Sequence, residues 1–135
     1  MGIVRELASV GHDLGAVFLL IGLATILPLG VGAYYQEWDA FSVMGQTTLL
    51  YLILGGALRF LPKGDIKSRN SLSIAATALV WVFVSFLGCL PFLFTGMNLL
   101  DAAFESMSAW TGTGFSLATN IEEWPKTLLL WRSFM

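Results

Sequence analysis

Three stretches of the sequence contain no Asp, Glu, Lys or Arg, and they constrain the fold more than any other feature. They are Leu14–Gln36 with 23 residues, Ala40–Leu58 with 19 and Asn70–Leu100 with 31. An α-helix needs about 20 apolar residues to cross the hydrocarbon core of a bilayer. The first two stretches therefore each predict one membrane span. The third predicts a span near Leu72–Thr95 and an exit from the membrane through residues 96–98.

The composition agrees with a membrane protein and excludes several other classes. Hydrophobic residues make up 56% of the chain and charged residues only 12%, whereas soluble domains contain about 25% charged residues. A soluble enzyme or a nucleic-acid-binding protein could not cover its surface with so few charges. The sequence also lacks a cluster of His, Cys and carboxylate residues and a catalytic triad, so we expect no enzyme.

The charged residues between the stretches predict the orientation in the membrane. One short segment between the second and third spans contains four of the seven basic residues. Its charged residues are Arg59, Lys63, Asp65, Lys67 and Arg69. Short loops rich in Lys and Arg remain in the cytoplasm. We therefore predict a multi-pass protein of the cell (inner) membrane with a cytoplasmic N-terminus.

The pattern changes after the third span. Leu99–Trp110 is a short helical segment, with Asn98 as its N-cap and Asp101 in its first turn. A segment poor in helix formers follows at Thr111–Ser116. The residues from Lys126 onward then read as the first turns of another helix, which is too short to span a bilayer. We therefore expect the chain to be a fragment of a longer protein.

The order of outward helix, short helix, Gly-rich strand and inward helix is typical of a pore loop. A cation that loses its water needs backbone carbonyl oxygens in its place. Gly112 and Gly114 allow the backbone conformation and the close approach that such a lining requires. The hydroxyls of Thr111 and Thr113 can add oxygen ligands. The negative end of the short helix dipole favours a cation at the same place.

The segment Asp101–Ser116, DAAFESMSAWTGTGFS, resembles the first pore loop of the Trk/Ktr/HKT superfamily of potassium transporters. The family pattern is approximately D-A-x-F-E-S-x-S-G-x-T-T-T-G-x-S. Ala109 stands where Gly is common, Gly112 replaces the middle Thr, and Gly114 matches the single family glycine. The LPF segment at residues 90–92 and the WRS segment at residues 131–133 also resemble family segments. The two helices before this unit are similar to the extra helix pair of Trk-type members.

The resemblance implies an all-α integral membrane fold with an N-terminal helix pair and one incomplete helix–pore-loop–helix repeat of a potassium-channel-like fold. The helix pair would cover residues 1–64 and the repeat, truncated in its last helix, residues 65–135. The implied function is potassium uptake, with the potassium ion bound by the carbonyls of Thr111, Gly112, Thr113 and Gly114. The implied partners are membrane lipid, the remaining repeats of the subunit, a second copy in a homodimer and a TrkA-like cytoplasmic nucleotide-binding regulatory subunit.

Other residues have predicted structural roles. Arg132 near the start of the last helix and Glu105 in the short helix are candidates for an ion pair that supports the loop, because an intramembrane charge is costly without a partner. Pro28 and Pro91 predict kinks in their helices. Three tryptophans fit an outer aromatic belt: Trp38, Trp124 and Trp131.

Two alternative functions remain open on the sequence. A chain with one pore loop can work as a homotetrameric cation channel, which needs a complete final helix. A non-transporting membrane accessory protein is the second alternative, and the Gly-rich strand between two helices speaks against it.

Overall fold

The computed structural model describes the backbone of residues 2–63 and 70–135, and all of the regular secondary structure in these residues is helical. Side chains are described for residues 8–63, 74 and 77–135. The helices are α1 (Gly2–Ala24), α2 (Ile26–Tyr34), α3 (Trp38–Arg59), α4 (Asn70–Gly88), α5 (Leu90–Leu93), α6 (Leu99–Trp110) and α7 (Lys126–Phe134). A short 3-10 turn covers Ile121–Glu123. The described residues contain no β-strand.

The first predicted span is helical, but it begins earlier than Leu14 and is broken once. α1 begins at Gly2, because the charged residues that end the apolar stretch do not prevent a helix. The helix is interrupted at Thr25 and continues as α2. Pro28 explains the break, since it has no N–H to donate to the carbonyl four residues earlier. The segment Ala8–Tyr34 has 27 residues and is long and apolar enough to cross a membrane.

The second predicted span is α3, which is also long and apolar enough to cross a membrane. It packs closely against α1 through two glycines. A Cβ added to Gly15 would lie 2.8 Å from the carbonyl oxygen of Gly55, and one added to Gly55 would lie 2.9 Å from the backbone nitrogen of Leu19. The rings of Phe18 and Tyr51 meet edge to face beside this contact, with centroids 5.7 Å apart. Small residues that let two backbones approach are a common basis of helix pairing in membranes.

We expect the substitution Gly55→Ala to destabilise the α1–α3 pair. The new methyl group meets backbone atoms, which cannot rotate away, so the helices must separate at a cost of about 1–3 kcal/mol. The measurement is the thermal midpoint of the purified full-length protein in detergent. The matched control is Gly56→Ala in the same helix, where an added Cβ has no neighbour within 4 Å. The control is expected to leave the midpoint unchanged or raise it, and equal losses in both variants would contradict the close contact.

The third predicted span, near Leu72–Thr95, corresponds to α4 and α5. These helices are separated by a break at Cys89, two residues before Pro91, where the predicted kink lies. Among the residues whose side chains are described, this span is represented by the apolar helix Thr77–Leu93, which is shorter than a full membrane crossing. The hydroxyl of Tyr51 in α3 donates a hydrogen bond to the carbonyl of Val84 at 2.8 Å. This bond joins the N-terminal helices to the rest of the chain.

The basic loop that predicts the orientation is only partly described. Arg59 donates a hydrogen bond to Nε2 of His12 at 2.7 Å, and Nδ1 of His12 donates to the carbonyl of Leu61 at 3.0 Å. These bonds tie the end of α3 to α1. Outside the described residues lie Asp65, Lys67 and Arg69. The orientation therefore stays a prediction.

The last helix, α7, packs against α2, α3 and α6. Trp131 of α7 is completely buried and donates a hydrogen bond from Nε1 to the carbonyl of Gly88 at 3.0 Å. Trp124 is 8% exposed and packs on Phe92, with ring centroids 5.6 Å apart. The predicted aromatic belt is therefore wrong for these two tryptophans, which fill the interior between helices. Trp38 is 62% exposed.

Large apolar side chains are exposed along the outside of the helices. Examples in α1, α3 and α4 are Leu20, Leu23, Leu49, Ile53, Val82 and Phe86. Soluble monomers rarely expose contiguous apolar patches of large size. These faces suit contact with lipid or with further membrane-embedded protein.

Candidate ion-coordinating loop

The short helix α6 forms over the predicted residues, Leu99–Trp110, and is capped as the sequence predicts. Asn98 accepts a hydrogen bond through Oδ1 from the backbone N–H of Asp101 at 2.9 Å. Its Nδ2 donates in return to Oδ2 of Asp101 at 2.7 Å. The cap satisfies an N–H group at the start of the helix and fixes where α6 begins. The C-terminal end of α6 leads directly into the Gly-rich segment.

The loop Thr111–Gly114 keeps its carbonyl oxygens free. Gly112 and Gly114 have φ angles of 66° and 77°, which L-residues with a side chain rarely adopt. The N–H groups of Gly112 and Thr113 donate to carbonyls of the last turn of α6 at 3.1 and 3.0 Å. Within the described part of the chain, no donor reaches the carbonyl oxygens of these four residues. Such oxygens can replace the water of a cation.

The two threonine hydroxyls of this loop make hydrogen bonds within it. The hydroxyl of Thr111 donates to the carbonyl of Met107 at 2.8 Å. The hydroxyl of Thr113 lies 2.8 Å from that of Thr111. Both hydroxyls therefore anchor the loop to α6. Their additional role as ion ligands stays a prediction.

Glu105 holds the far side of the loop from inside α6. Its side chain has no exposed surface. Its carboxylate accepts hydrogen bonds from the hydroxyl of Ser116 at 2.9 and 3.0 Å and from the backbone N–H of Leu117 at 3.0 Å. Nε of Arg132 in α7 donates to Oε1 of the same carboxylate at 2.5 Å. The pair that the sequence suggests is present, and it joins α6, α7 and the residues after the loop.

A second cross-link lies closer to the glycines. The hydroxyl of Ser108 in α6 donates to the carbonyl of Phe115 at 2.7 Å. The four candidate ligand residues therefore lie between the end of α6 and residues 115–117, which bind back to Ser108 and Glu105 of the same helix. A cavity of about 190 Å³ adjoins the loop and is lined by Gly112, Gly114 and Arg132 among others. The loop is held at both ends while its carbonyls stay unbonded.

The sequence-based prediction assigns no contact to three residues that support this region. Ser108 and Ser116 are part of the family-like segment, and only their contacts with the loop were not foreseen. Glu37 is different, because it lies between α2 and α3 and binds the first turn of α7. The one local signal for it is that α7 begins after Pro125 with no side-chain cap of its own.

Comparison with known proteins gives relatives over nearly the whole chain. An uncharacterized cation transporter of Methanocaldococcus jannaschii is 36% identical over 99% of this chain and 29% of its own length. The Trk system potassium uptake protein TrkH of Vibrio parahaemolyticus is 31% identical over 96% of this chain and 27% of its own. TrkG of Escherichia coli is 27% identical over 92% of this chain and 26% of its own. No protein-family model matches the chain.

The fold is similar to a solved structure. The crystal structure of the potassium transporter TrkH from Vibrio parahaemolyticus matches with a TM-score of 0.85 and 25% identity, over 93% of this chain and 28% of that chain. The predicted all-α membrane fold is therefore confirmed. These relatives are transport proteins rather than enzymes, as the sequence predicts for this chain. The chain spans less than a third of the length of each relative.

Proposed function

The chain belongs to the Trk family of potassium uptake proteins, and we propose that it supplies one pore-loop unit of a potassium transporter. In this proposal potassium is the transported ion rather than a resident cofactor. It passes along the carbonyl oxygens of Thr111, Gly112, Thr113 and Gly114. The remaining ligands come from the rest of the full-length subunit.

The single observation that carries the proposal is the hydrogen bonding of Thr111–Gly114. Three of its N–H groups are bound to α6, and none of its carbonyls accepts a hydrogen bond within the described residues. All four residues are exposed in this chain, so their carbonyls are open to water or to an ion. A dehydrated cation can bind such carbonyls, and potassium loses its water more readily than smaller cations.

The length of the relatives favours this proposal over a homotetrameric channel. Each of them is more than three times as long as the segment that this chain matches. A relative of that length has room for further pore loops in the same subunit. The four free carbonyls also favour a transport role over that of a non-transporting accessory protein, which has no need for them.

The location and partners are part of the same proposal. The protein lies in the inner membrane with its N-terminus in the cytoplasm, supported by the basic residues between the second and third spans. Lipid covers the exposed apolar faces of α1, α3 and α4. A homodimer and a TrkA-like nucleotide-binding regulatory subunit are proposed from family membership alone.

Expression of the full-length protein in cells that lack potassium uptake systems tests the proposal. We expect the cells to grow at limiting potassium and to take up rubidium, which follows the same pathway as potassium. Uptake is expected to be competed by potassium more strongly than by sodium. Cells that carry the empty vector are the control. Rubidium uptake no greater than in this control, from protein shown to be in the membrane, would contradict the proposal.

A further inference from the structure

The carboxylate of Glu37 binds the first turn of α7, although 89 residues separate it from the nearest partner. Oε1 accepts a hydrogen bond from the backbone N–H of Lys126 at 2.7 Å. Oε2 accepts from the N–H of Thr127 at 2.9 Å and from its hydroxyl at 2.7 Å. All three bonds converge on one side chain of the N-terminal helix pair. The contact therefore connects the two predicted units of the chain directly.

This contact replaces a local cap that α7 lacks. The residue before the helix is Pro125, which makes no side-chain hydrogen bond to the helix. The first N–H groups of a helix need acceptors from elsewhere, and the helix dipole favours a negative charge at this end. Glu37 supplies both the acceptors and the charge. α7 thus depends on a residue outside its own sequence neighbourhood for its N-terminus.

The ionisation of Glu37 agrees with this role. Burial alone raises the pKa of its carboxyl group, but hydrogen bonds from Thr127 and Lys126 and the charge of Lys126 outweigh burial and hold the pKa below its usual value of 4.5. A folded-state pKa below the unfolded value adds stability at pH values above the unfolded pKa. That stability is lost as the pH falls through the folded-state pKa. The carboxylate is therefore charged at neutral pH.

The backbone around Glu37 and the helix next to it are shaped for this contact. Gln36 has a positive φ of 59°, and the N–H of Glu37 donates to the carbonyl of Gly32 at 2.9 Å. A Cβ added to Gly32 in α2 would lie 2.8 Å from the hydroxyl oxygen of Thr127, which is completely buried. Gly30 in the same helix has no such neighbour within 4 Å. α2 and the first turn of α7 are therefore in direct contact where Glu37 binds.

α7 connects this contact to the candidate ion-coordinating loop. It is a helix of nine residues, Lys126–Phe134, with Glu37 at its first turn and Arg132 in its last. Arg132 binds the buried carboxylate of Glu105, which holds Ser116 and the N–H of Leu117. A shift of the first turn of α7 would move Arg132 with it, because a short helix moves as one piece.

We propose that Glu37 is a positioning residue, through which the N-terminal helix pair sets the place of α7 and so the geometry of the pore loop. This proposal rests on the proposed function. It gives the helix pair a role in ion selection, although none of its described residues lies in the candidate loop. The carboxylate of Glu37 makes its hydrogen bonds to Lys126 and Thr127, and none of them reaches the loop.

The test substitutes Glu37→Gln in the full-length protein and measures rubidium uptake per folded molecule together with the preference for potassium over sodium. Gln keeps the shape of the side chain but has no charge. Its amide N–H₂ group would face a backbone N–H group of α7, and two donors cannot form a hydrogen bond. Loss of a helix cap shifts the equilibrium between the ordered and disordered helix end by a factor of about five. We therefore expect uptake to fall about fivefold and the preference for potassium to decrease. The matched control is Asp39→Asn, which removes an exposed charge two residues away and is expected to behave as wild type.

A second substitution keeps the test decisive if Glu37→Gln reduces the amount of folded protein. Thr127→Val removes only the hydroxyl donor, so we expect a smaller loss of selectivity and little further loss when it is combined with Glu37→Gln. Unchanged ion preference per folded molecule in both variants would overturn the inference and leave Glu37 as a cap alone. Wild-type protein that transports neither rubidium nor potassium would instead contradict the proposed function, so the two failures are distinguishable.

Discussion

Gly114→Ser in the full-length protein is expected to lower rubidium uptake at least tenfold and to reduce the preference for potassium over sodium. The φ of Gly114 is 77°, and a residue with a Cβ in this conformation is strained by roughly 1–2 kcal/mol. The loop can relieve that strain only by rotating the peptide groups whose carbonyls are free. In the proposed function these same carbonyls bind the ion, so rotating their peptide groups removes ligands from the ion. The measurement is tracer uptake per molecule of protein in the membrane.

Gly96→Ser is the matched control for this experiment. Gly96 lies in the turn between α5 and α6, with a φ of 86° and no atom within 4 Å of an added Cβ. Gly114 likewise has no such neighbour, so both substitutions strain the backbone without a steric clash. Only the change at Gly114 is expected to affect ion preference. Equal uptake and equal preference in the two variants would remove Gly114 from the ion pathway.

Arg132→Met is expected to have the largest effect on stability. It leaves the carboxylate of Glu105, which has no exposed surface, without a positive partner. Removing one member of a buried ion pair costs about 3–5 kcal/mol, because the remaining charge stays buried. We expect the thermal midpoint of the full-length protein in detergent to fall sharply, and rubidium uptake with it. Lys126→Met removes an exposed positive charge from the same helix. Since exposed charge pairs contribute only about 0–1 kcal/mol, the loss of its attraction to Glu37 is expected to lower the midpoint far less.

The double variant Glu105→Gln with Arg132→Met separates the ion pair from simple packing. A neutral amide can still accept a hydrogen bond from Ser116 or the N–H of Leu117, and no charge is left buried alone. We therefore expect the double variant to recover part of the midpoint lost in Arg132→Met, which a thermodynamic cycle over the two positions measures. Losses that simply add would show that Glu105 and Arg132 act independently.

The local elements of this fold are predictable from the sequence because their causes are local. α6 covers the predicted residues, Leu99–Trp110, because its N-cap is Asn98 and its end is set by the glycines that follow. α3 likewise follows the second charge-free stretch. The helix breaks at Thr25 and Cys89 lie next to Pro28 and Pro91, whose missing N–H groups are visible in the sequence. Each of these features depends on interactions within a few residues.

The candidate site was predictable only in part. Gly112 and Gly114 are recognisable because positive φ angles favour glycine. The pair of Glu105 and Arg132 was foreseen because two opposite charges in apolar surroundings need each other. The hydrogen bond from Ser108 to Phe115 could not be foreseen, because it depends on the path of the loop rather than on residue type.

The contacts that join distant parts of the chain were not predictable. The approach of Gly15 to Gly55 depends on which faces α1 and α3 turn to each other. The binding of Glu37 to α7 depends on where α2 ends relative to a helix that begins about 90 residues later. A carboxylate in a short connection between two spans looks like an ordinary solvated residue in the sequence. Only the missing cap of α7 suggests that an acceptor arrives from another part of the chain.

The long separation between Glu37 and Thr127 also imposes an order on biosynthesis. A ribosome adds about 5–20 residues per second, so Glu37 exists for roughly 5–20 s before Thr127 is made. Contacts such as that of Gly15 with Gly55 lie wholly within the part of the chain that is made before α7. We therefore expect the carboxylate of Glu37, which later binds α7, to belong to a group of helices that assembles first.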